Sequence, residues 1–506
     1  MNLDMKIDLT NRSKLLLEHF DSLNKIINNN NNNNNNHNNT KKSIYNKTFY
    51  NLQKDIFNKL TNIYKNIKVD LCNIEKYRNI CNSDSEDYKK IMKTNNTNHY
   101  LNSSRYIDND IVNYINTNEK SSTLIGYNLP YNSKIIEINF VVYKSHKLDS
   151  MFLKKMDNYV MYMFAFIQLI TLLTSNKDNK DNNCAREGLI TFIYMTPFKK
   201  EITNQVLGAR NVNTGFSYPC QNRGLIFIYR YEEFIKVFIH ECMHTYGVDL
   251  ELIIFQHSIS NNNNSTNNRI GNTKNEKIYK KFIDNFNLSN EINHKYGKFD
   301  LGIQECLTEF WTNFLNCSLF TFNHINSMAA NSATIFHKYL CKFERLFEAE
   351  ILFSLNQCYK ILNHNNINYL SILSKTDQKP SQNFNIESVE NNYREESHIF
   401  SYYIIKTLLI YDYKRFLCGE YFSLKESLNN PSNNPSNNSI NICFTKNYES
   451  FFDYIVEQAN NVRLIKLFTF LKKIDNKLNL LNEDFMKKYN RFIYTNMRMC
   501  AIEITF

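Results

Sequence analysis

The central part of the chain alternates short apolar runs with one long apolar stretch. Residues 135–143, 189–195 and 225–229 are short, rich in Ile, Phe, Val and Tyr, and predict β-strands. Residues 148–174 lie between the first two runs and predict one long helix. A strand, a helix and a second strand in this order predict a βαβ unit.

Part of the long predicted helix has the composition of a membrane span. Residues 158–176 carry no charged side chain, and this length approaches that of a transmembrane helix. Gln168, several Tyr and Thr side chains, and the strands on either side weaken that interpretation. We expect a buried core helix and keep a membrane span as the alternative.

The pattern divides the chain into four regions. Residues 1–45 predict a low-complexity, disordered N-terminus, and residues 46–130 predict a small helical N-terminal region. Residues 131–325 contain the predicted strands and the candidate chemistry. Residues 326–506 show helical periodicity and predict a mainly helical C-terminal lobe.

Asparagine-rich segments interrupt this pattern. One run begins at Asn28, a second occupies residues 258–275, and a third occupies residues 429–438. Such polar, low-complexity segments bury too little apolar surface to fold. We therefore expect disordered inserts in these places.

The helix predicted after residues 225–229 carries a motif with a chemical meaning. It contains His240, Glu241 and His244 in the arrangement HExxH, and Gly247 predicts its end. Histidines four residues apart lie on one helix face, so both imidazoles can bind one Zn²⁺ ion. Glu241 is placed to act as a general base without binding the metal. The alternative is a core helix whose two histidines make ordinary hydrogen bonds.

A catalytic zinc site needs a third protein ligand. Asp249 and Glu251 are the candidates that are near in sequence. Glu305 is the distant candidate, and it shares one face of an apolar helix at residues 301–314 with Glu309. Buried carboxylates are costly unless they are paired or bind a metal, so we predict Glu305 as the third ligand. Glu309 is then predicted to accept a hydrogen bond from a ligating histidine; the alternative leaves Glu309 in solvent and pairs Glu305 with a lysine.

Together, HECMH and ECLTE resemble the pattern of gluzincin zinc metallopeptidases, HExxH with a downstream ExxxD/E helix. The resemblance covers residues 225–316, which is under a fifth of the chain. By position, the resemblance implies that His240, His244 and Glu305 are zinc ligands. It also implies that Glu241 is the general base and that Glu309 is the carboxylate that orients a ligand.

The resemblance also implies a fold class. We expect an α+β protein with a zincin-like N-terminal lobe, which holds a small mixed sheet and the HExxH helix, followed by the helical lobe. In this family an edge strand lies along the cleft and pairs with the substrate backbone. Residues 213–216, with Asn213 and Gly215, stand at the corresponding place; an ordinary hairpin loop is the alternative.

The metzincin pattern, HExxHxxGxxH/D, is the alternative family. Gly247 fits it, but Leu250 stands at its third ligand position and Asp249 comes one residue early. We identify no Met-turn downstream.

An HExxH hydrolase also needs a donor that stabilises the developing oxyanion. His398, Tyr402 and Tyr403 open a predicted helix at residues 398–418, and they are our candidates because gluzincins use such a residue. The alternative is an aromatic core face, which is the usual role of aromatic residues at helical spacing.

Composition adds expectations about partners and location. The net charge of +11 comes from scattered lysines rather than a basic stripe, so we expect no specific nucleic-acid partner. The 12 cysteines form no CxxC pair, and residues 1–30 lack the apolar segment of a signal peptide. We expect free thiols, a cytoplasmic or other intracellular location, and no membrane partner.

These observations predict a zinc-dependent hydrolase that cleaves the peptide bonds of a peptide or protein substrate, with Zn²⁺ as cofactor and Glu241 as general base. Three alternatives remain. The chain could be a catalytically inactive zincin-fold protein that acts by binding, a metzincin-like protease with a different third ligand, or a membrane-associated protease.

Overall fold

The structure is a computed structural model of the 506-residue chain. It describes residues 7–18, 39–70, 73–143, 147–175, 184–203, 206–260, 274–286, 301–326, 332–373, 393, 395–422, 440–478 and 495–505. The asparagine run from Asn28, and most of the asparagine-rich segments at residues 258–275 and 429–438, lie outside the described residues.

The described strands form one mixed sheet and one short separate pair. They are β1 Asp8–Leu9, β2 Arg78–Asn82, β3 Ser122–Tyr131, β4 Lys134–Tyr143, β5 Gly188–Tyr194, β6 Gly215–Ser217, β7 Arg223–Ile228 and β8 Ile504–Thr505. The sheet has the order β2-β3-β4-β5-β7-β6, and β1 pairs with β8. Strands β4, β5 and β7 are parallel to one another, whereas β2, β3 and β6 pair antiparallel with their neighbours.

Most of the remaining described secondary structure is α-helical. The α-helices include α1 Asn39–Asp70, α2 Glu86–Thr94, α3 Thr97–Ser103, α4 Asn109–Asn118, α5 Ser150–Thr174, α6 Ala209–Val212, α7 Phe234–Thr245, α8 Leu250–Ser260, α9 Lys274–Ile283, α10 Ile303–Asn326, α11 Ser332–His364, α12 Lys406–Tyr411, α13 Tyr413–Phe416, α14 Tyr448–Ala459 and α15 Val462–Leu478. A π-helical segment, Phe400–Ile405, leads directly into α12. The described residues thus combine helices with one sheet, broadly an α+β arrangement.

The sheet begins earlier in the chain than expected, because β2 and β3 lie inside residues 46–130. The structure corrects the prediction of a helical region there, since helices and two strands share these residues. Gly126 and Pro130 are disfavoured in strands and hide β3 in the sequence. Pro130 is tolerated because β2 pairs with β3 only as far as Tyr127, so Pro130 interrupts no pairing on that side.

The predicted βαβ unit is confirmed, since β4 and β5 are parallel neighbours and α5 connects them. Helix α5 is the one described helix that is long and apolar enough to cross a membrane. However, 78% of its most apolar window is buried inside the protein. Its buried Asp157 accepts hydrogen bonds from Arg78 at 2.8 Å and from the Tyr127 hydroxyl at 2.7 Å. This is the packing of a core helix.

Both faces of the sheet are covered, which explains its nearly continuous apolar strands. On one face, Phe192 and Phe227 pack against residues of α2, α3 and α4. On the other face, Ile193 and Ile226 join the core that includes α5 and α7. Helix α7 lies between the sheet and the helices of the second half of the chain, where it contacts α10.

The described C-terminal segment, residues 495–505, is extended and deeply buried. Glu233 accepts backbone N–H bonds from Met499 and Cys500 at 3.2 and 3.1 Å. Glu350 accepts the N–H of Ile502 at 2.9 Å. This segment therefore fixes the start of α7 to α11 and ends in the β1–β8 pair.

Candidate metal centre

Helix α7 carries the HExxH motif and ends as predicted. Gly247 has a φ of +72°, a conformation that L-residues with a side chain rarely adopt. Its N–H donates to the His244 carbonyl at 3.1 Å, and the N–H of Val248 donates to Met243 at 3.0 Å. This turn closes the helix and reverses the chain just beyond His244.

The two histidines and Glu305 meet at one point. The Oε2 of Glu305 lies 3.2 Å from the Nε2 of His240 and 3.3 Å from the Nε2 of His244. The two Nε2 atoms lie 3.1 Å apart. Glu305 reaches this point from the first turn of α10, which packs against α7. The structure thus brings together the three residues predicted as ligands.

A carboxylate lies behind each imidazole. Glu309, one turn beyond Glu305 on α10, lies 2.8 Å from the Nδ1 of His240, which is the position predicted for it. Asp249 lies 2.6 Å from the Nδ1 of His244. Asp249 therefore occupies the far side of His244 from the point where the Nε2 atoms meet. The other nearby candidate, Glu251, contacts Lys446 and Tyr448 instead.

These contacts favour one tautomer of each neutral imidazole. The Nδ1 of His240 and of His244 faces a carboxylate, so when the ring is neutral and its proton is on Nδ1, the Nε2 lone pair is directed at Glu305. Two Nε2 atoms and one carboxylate oxygen then converge as three potential metal ligands. Around a tetrahedral Zn²⁺ with bonds of about 2.0–2.2 Å, neighbouring ligand atoms lie about 3.3 Å apart. The observed spacings of 3.1 to 3.3 Å fit that requirement.

Electrostatics also favour a cation at this point. Burial lowers the pKa of His244, but the negative charges of Asp249 and Glu305 outweigh burial and raise it well above its usual value. Burial likewise lowers the pKa of His240, and hydrogen bonds to Glu305 and Glu309 raise it overall. Burial raises the pKa of Glu305, yet the neighbouring His244 and His240 hold it well below its usual range. The site therefore stabilises positive charge.

Glu241 faces the same space without joining the cluster. The Ser217 hydroxyl donates a hydrogen bond to its Oε2 at 2.7 Å. Burial raises the pKa of Glu241, and the charges of His240 and His244 only partly oppose that effect. A buried carboxylate with a raised pKa is suited to accept and return a proton near neutral pH.

The edge strand β6 lies beside Glu241. The N–H of Tyr229 donates a hydrogen bond to the Thr214 carbonyl. Two residues further along, Phe216 lies opposite Phe227, and this is the next pair that backbone hydrogen bonds can join. In an antiparallel pair the residues alternate, so Gly215 and Ser217 direct their N–H and C=O groups away from β7. A Cβ atom at Gly215 would lie 2.8 Å from the Phe227 carbonyl oxygen and 3.3 Å from the Glu241 carboxylate. Only glycine therefore leaves room at this position.

A cleft of about 230 Å³ opens onto the cluster. Its lining comes from β6, the motif helix, α8, α10, the π-helical segment and the loops beside them. It includes Asn213, Gly215, Ser217, His240, Glu241, His244, Glu305, His398 and Tyr402. Asn213 also has a structural role, because it donates to the Tyr106 carbonyl at 3.2 Å and accepts from the Ser397 hydroxyl at 3.1 Å.

The three candidates for an oxyanion donor lie in different places. Tyr402 and His398 line the cleft, and the ring of Tyr402 lies 6.2 Å from that of His240. Tyr403 points away, and its hydroxyl donates to the Met497 carbonyl at 2.6 Å. The proposal of Tyr403 as a catalytic residue was wrong, because adjacent residues of a helix face different sides.

The backbone around these candidates is tightly packed. His398 lies against Gly302, where a Cβ atom would come within 2.4 Å of the imidazole. Gly302 has a φ of +58° and directly precedes α10. The Ser401 hydroxyl donates to the Leu301 carbonyl at 2.5 Å. These contacts hold the π-helical segment against the start of the helix that carries Glu305.

The expectation that the cysteines are free thiols was wrong for one pair. Cys184 and Cys220 form a disulfide, and their Cα atoms lie 4.2 Å apart. The pair is 36 residues apart in sequence, so no local motif marks it. The N–H of Cys220 donates to the His244 carbonyl at 3.2 Å, which places this disulfide next to the end of α7.

Sequence reasoning did not identify the roles of Ser217, Lys236 and Asp249. Nothing in the sequence marked Ser217 apart from its place beside the predicted edge strand. Lys236 could have been noticed, because it is a single lysine in the apolar start of the motif helix, one turn before His240. Asp249 was considered only as a ligand, because its position behind His244 depends on the turn at Gly247.

Comparisons of the chain with known protein families, with curated proteins and with solved structures gave no match. A functional interpretation therefore rests on the residues of the site itself.

Proposed function

We propose that this protein is a zinc-dependent hydrolase of peptide bonds, of gluzincin type, that acts on a peptide or protein substrate. One observation carries the proposal. Two Nε2 atoms and a carboxylate oxygen converge at tetrahedral spacing, with Glu241 beside them on an open cleft. His240, His244 and Glu305 would hold Zn²⁺, and Glu309 and Asp249 would orient the two imidazoles.

When bound, Zn²⁺ supplies a Lewis acid that polarises the scissile carbonyl and lowers the pKa of water. Glu241 accepts the proton of the attacking water and delivers it to the leaving amine nitrogen. Ser217 orients the carboxylate of Glu241 through the 2.7 Å hydrogen bond. Burial raises the pKa of Tyr402, which keeps its hydroxyl protonated and able to donate to the developing oxyanion.

The substrate would bind in extended form along β6. Gly215 and Ser217 direct backbone groups away from β7, on the outer side of the last strand in the sheet order. A peptide strand can pair with such an edge, which would place its backbone across the cluster. His398 lines the same cleft and is the second candidate for a substrate contact.

A structural zinc site is the alternative function, and two features argue against it. Structural sites usually have four protein ligands and are closed to solvent. Here the described residues bring three ligand atoms together, and a cleft reaches them. A general base such as Glu241 also has no use in a structural site.

The location proposed from the sequence is cytoplasmic or otherwise intracellular. The burial of α5 supports a protein without a membrane anchor in that helix. The Cys184–Cys220 disulfide weighs against a strongly reducing compartment, where such bonds rarely persist. Alkylation of the protein in fresh lysate, followed by mass spectrometry, distinguishes a reduced pair from an oxidised one.

Replacement of the base tests the proposed activity. The zinc-loaded protein and its Glu241→Gln variant are incubated with a mixture of peptides, and new termini are identified by mass spectrometry. We expect cleavage by the wild type and a loss of at least about 100-fold in Glu241→Gln, since a general base contributes about 10²–10⁴-fold. Equal cleavage by both proteins would contradict the assignment of Glu241.

A further inference from the structure

Lys236 is a buried lysine in the first turn of the motif helix, one turn before His240. It is 2% exposed. Lysine is almost never buried to this degree unless its ammonium group is paired. The surrounding sequence is apolar, so the position of this charge calls for a specific partner.

The partner is Glu309. The Nζ of Lys236 donates to the Oε1 of Glu309, and the same oxygen lies 2.8 Å from the Nδ1 of His240. Both side chains of the ion pair are almost fully buried. A single carboxylate oxygen therefore joins the ammonium group of Lys236 to the imidazole of His240.

Among the described residues, no lysine or arginine forms an ion pair with Asp249, the carboxylate behind His244. Asp249 also lies 3.4 Å from the Thr308 hydroxyl, which is a neutral donor. The two imidazoles thus have similar carboxylates behind them, but only Glu309 is neutralised by a lysine. A cation on the carboxylate fixes its orientation and reduces the electron density that it lends to the imidazole.

We propose that Lys236 is a positioning residue of the metal site, which acts through Glu309 to hold His240 in its metal-binding orientation. This inference rests on the proposed function, since it assumes that His240 binds a metal ion. The simpler alternative is that Lys236 and Glu309 form a buried ion pair that only affects folding.

A matched control pair lies close by. The Nζ of Lys200 donates to the Oε2 of Glu233 at 3.0 Å, and both side chains are fully buried. This pair has the same chemistry as Lys236 and Glu309, and it sits at the start of the same helix. Glu233 contacts the C-terminal segment rather than either histidine. Lys200→Met therefore controls for the loss of a buried lysine near the start of the same helix, with Arg498 still 3.6 Å from Glu233.

The test measures zinc affinity by competition with a chromophoric chelator, on wild type, Lys236→Met and Lys200→Met. We expect Lys236→Met to bind zinc about 10–100-fold more weakly, which is the usual effect of losing an outer partner of a ligand. Lys200→Met should retain the wild-type affinity, although both variants should lose thermal stability. Equal zinc affinity in wild type and Lys236→Met would overturn the inference.

A second variant covers the case in which Lys236→Met does not fold. The double variant Lys236→Met/Glu309→Gln removes both charges of the ion pair, so that neither is left without the other. We expect its zinc affinity to fall by at least the same factor, and wild-type affinity in this variant would also overturn the inference.

The same experiment separates this inference from the proposed function. If the wild type itself binds no zinc, the proposed function fails. If the wild type binds zinc and Lys236→Met binds it equally well, only the role of Lys236 fails. ¹⁵N NMR of the metal-free protein adds a readout that a purely structural role would not change. Lys236→Met should shift the Nδ1 resonance of His240, and Lys200→Met should not.

Discussion

At the scale of single residues, metal binding depends on which nitrogen of each imidazole contacts a carboxylate and which is left to bind a metal ion. Glu309 and Asp249 lie at the Nδ1 atoms of His240 and His244, which favours the tautomers whose Nε2 lone pairs are directed at Glu305. Without these two carboxylates each imidazole could adopt the other tautomer or rotate. The outer carboxylates therefore determine whether the three inner groups can act together.

Asp249 provides the cleanest test of this point. Asp249→Asn retains the shape of the side chain but removes the negative charge that lies 2.6 Å from the Nδ1 of His244. We expect zinc affinity to fall by about 10–100-fold. Chelator competition measures the effect. Glu251→Gln is the control, because Glu251 is close in sequence but contacts Lys446 and Tyr448. Equal affinity in Asp249→Asn and Glu251→Gln would contradict this role for Asp249.

At the scale of secondary structure, four elements converge on the centre. Helix α7 supplies the histidines and the base, α10 supplies Glu305 and Glu309, β6 forms the edge of the cleft, and the π-helical segment supplies Tyr402. A π-helical turn accommodates one more residue than an α-helical turn, and such turns are frequent at functional sites. Here the segment directs Tyr402 to the cleft and Tyr403 to the core.

Tyr402 and Tyr403 form a matched pair of variants. Tyr402→Phe removes the proposed oxyanion donor, and we expect kcat to fall by about 10²–10³-fold while the protein remains folded. Tyr403→Phe removes the hydrogen bond to Met497, and we expect a loss of about 1–3 kcal/mol in the free energy of unfolding with little change in kcat. Peptide hydrolysis and urea unfolding measure the two effects, and the reverse pattern would contradict the assignment.

Elements could be predicted from the sequence where the hydrophobic pattern is regular and where side chains of clear chemical role share one helix face. The strand–helix–strand order of β4, α5 and β5 follows from apolar runs of different length, and the HExxH spacing identifies the face of α7. The roles of Glu305 and Glu309 could be predicted because two carboxylates on one side of an apolar helix require a partner. These inferences depend only on local periodicity and on the cost of burying charge.

Other features depend on long-range geometry and could not be predicted in this way. Strand β3 contains Gly126 and Pro130, so its local preferences oppose its structure. The Cys184–Cys220 bond joins loops that only the folded sheet brings together. Adjacent helical residues always face different sides, but which of Tyr402 and Tyr403 faces the cleft depends on how the π-helical segment packs against α10.

At the scale of the whole molecule, the C-terminal segment connects regions that are distant in sequence. Residues 495–505 contact the start of α7 through Glu233 and contact α11 through Glu350. Lys360 of α11 also donates to the Asn496 carbonyl at 2.6 Å. The position of the proposed metal centre thus depends on a segment far from the HExxH motif in the chain.

Lys360 makes this packing sensitive to pH. Burial lowers its pKa from 10.5 to about 7. Between about pH 7 and 10.5 the unfolded chain binds more protons at this lysine than the folded one, so the free energy of unfolding should rise with pH in that window. The expected slope is up to about 1.4 kcal/mol per pH unit, and it should disappear in Lys360→Met.

Urea unfolding of both proteins at pH 7.5 and pH 9 checks this expectation. Other groups titrate in the same range, so the relevant quantity is the difference between wild type and Lys360→Met at each pH. If that difference does not change between the two pH values, the lysine is not buried in its neutral form.

The central claim is that His240, His244 and Glu305 bind one zinc ion. Native mass spectrometry of the zinc-loaded wild type, Glu305→Ala and Glu241→Gln tests it most directly. We predict one zinc per chain in the wild type and in Glu241→Gln, and loss of zinc in Glu305→Ala. Retention of zinc in Glu305→Ala would move the third ligand elsewhere, and a wild-type protein that binds no zinc would contradict the metal centre itself.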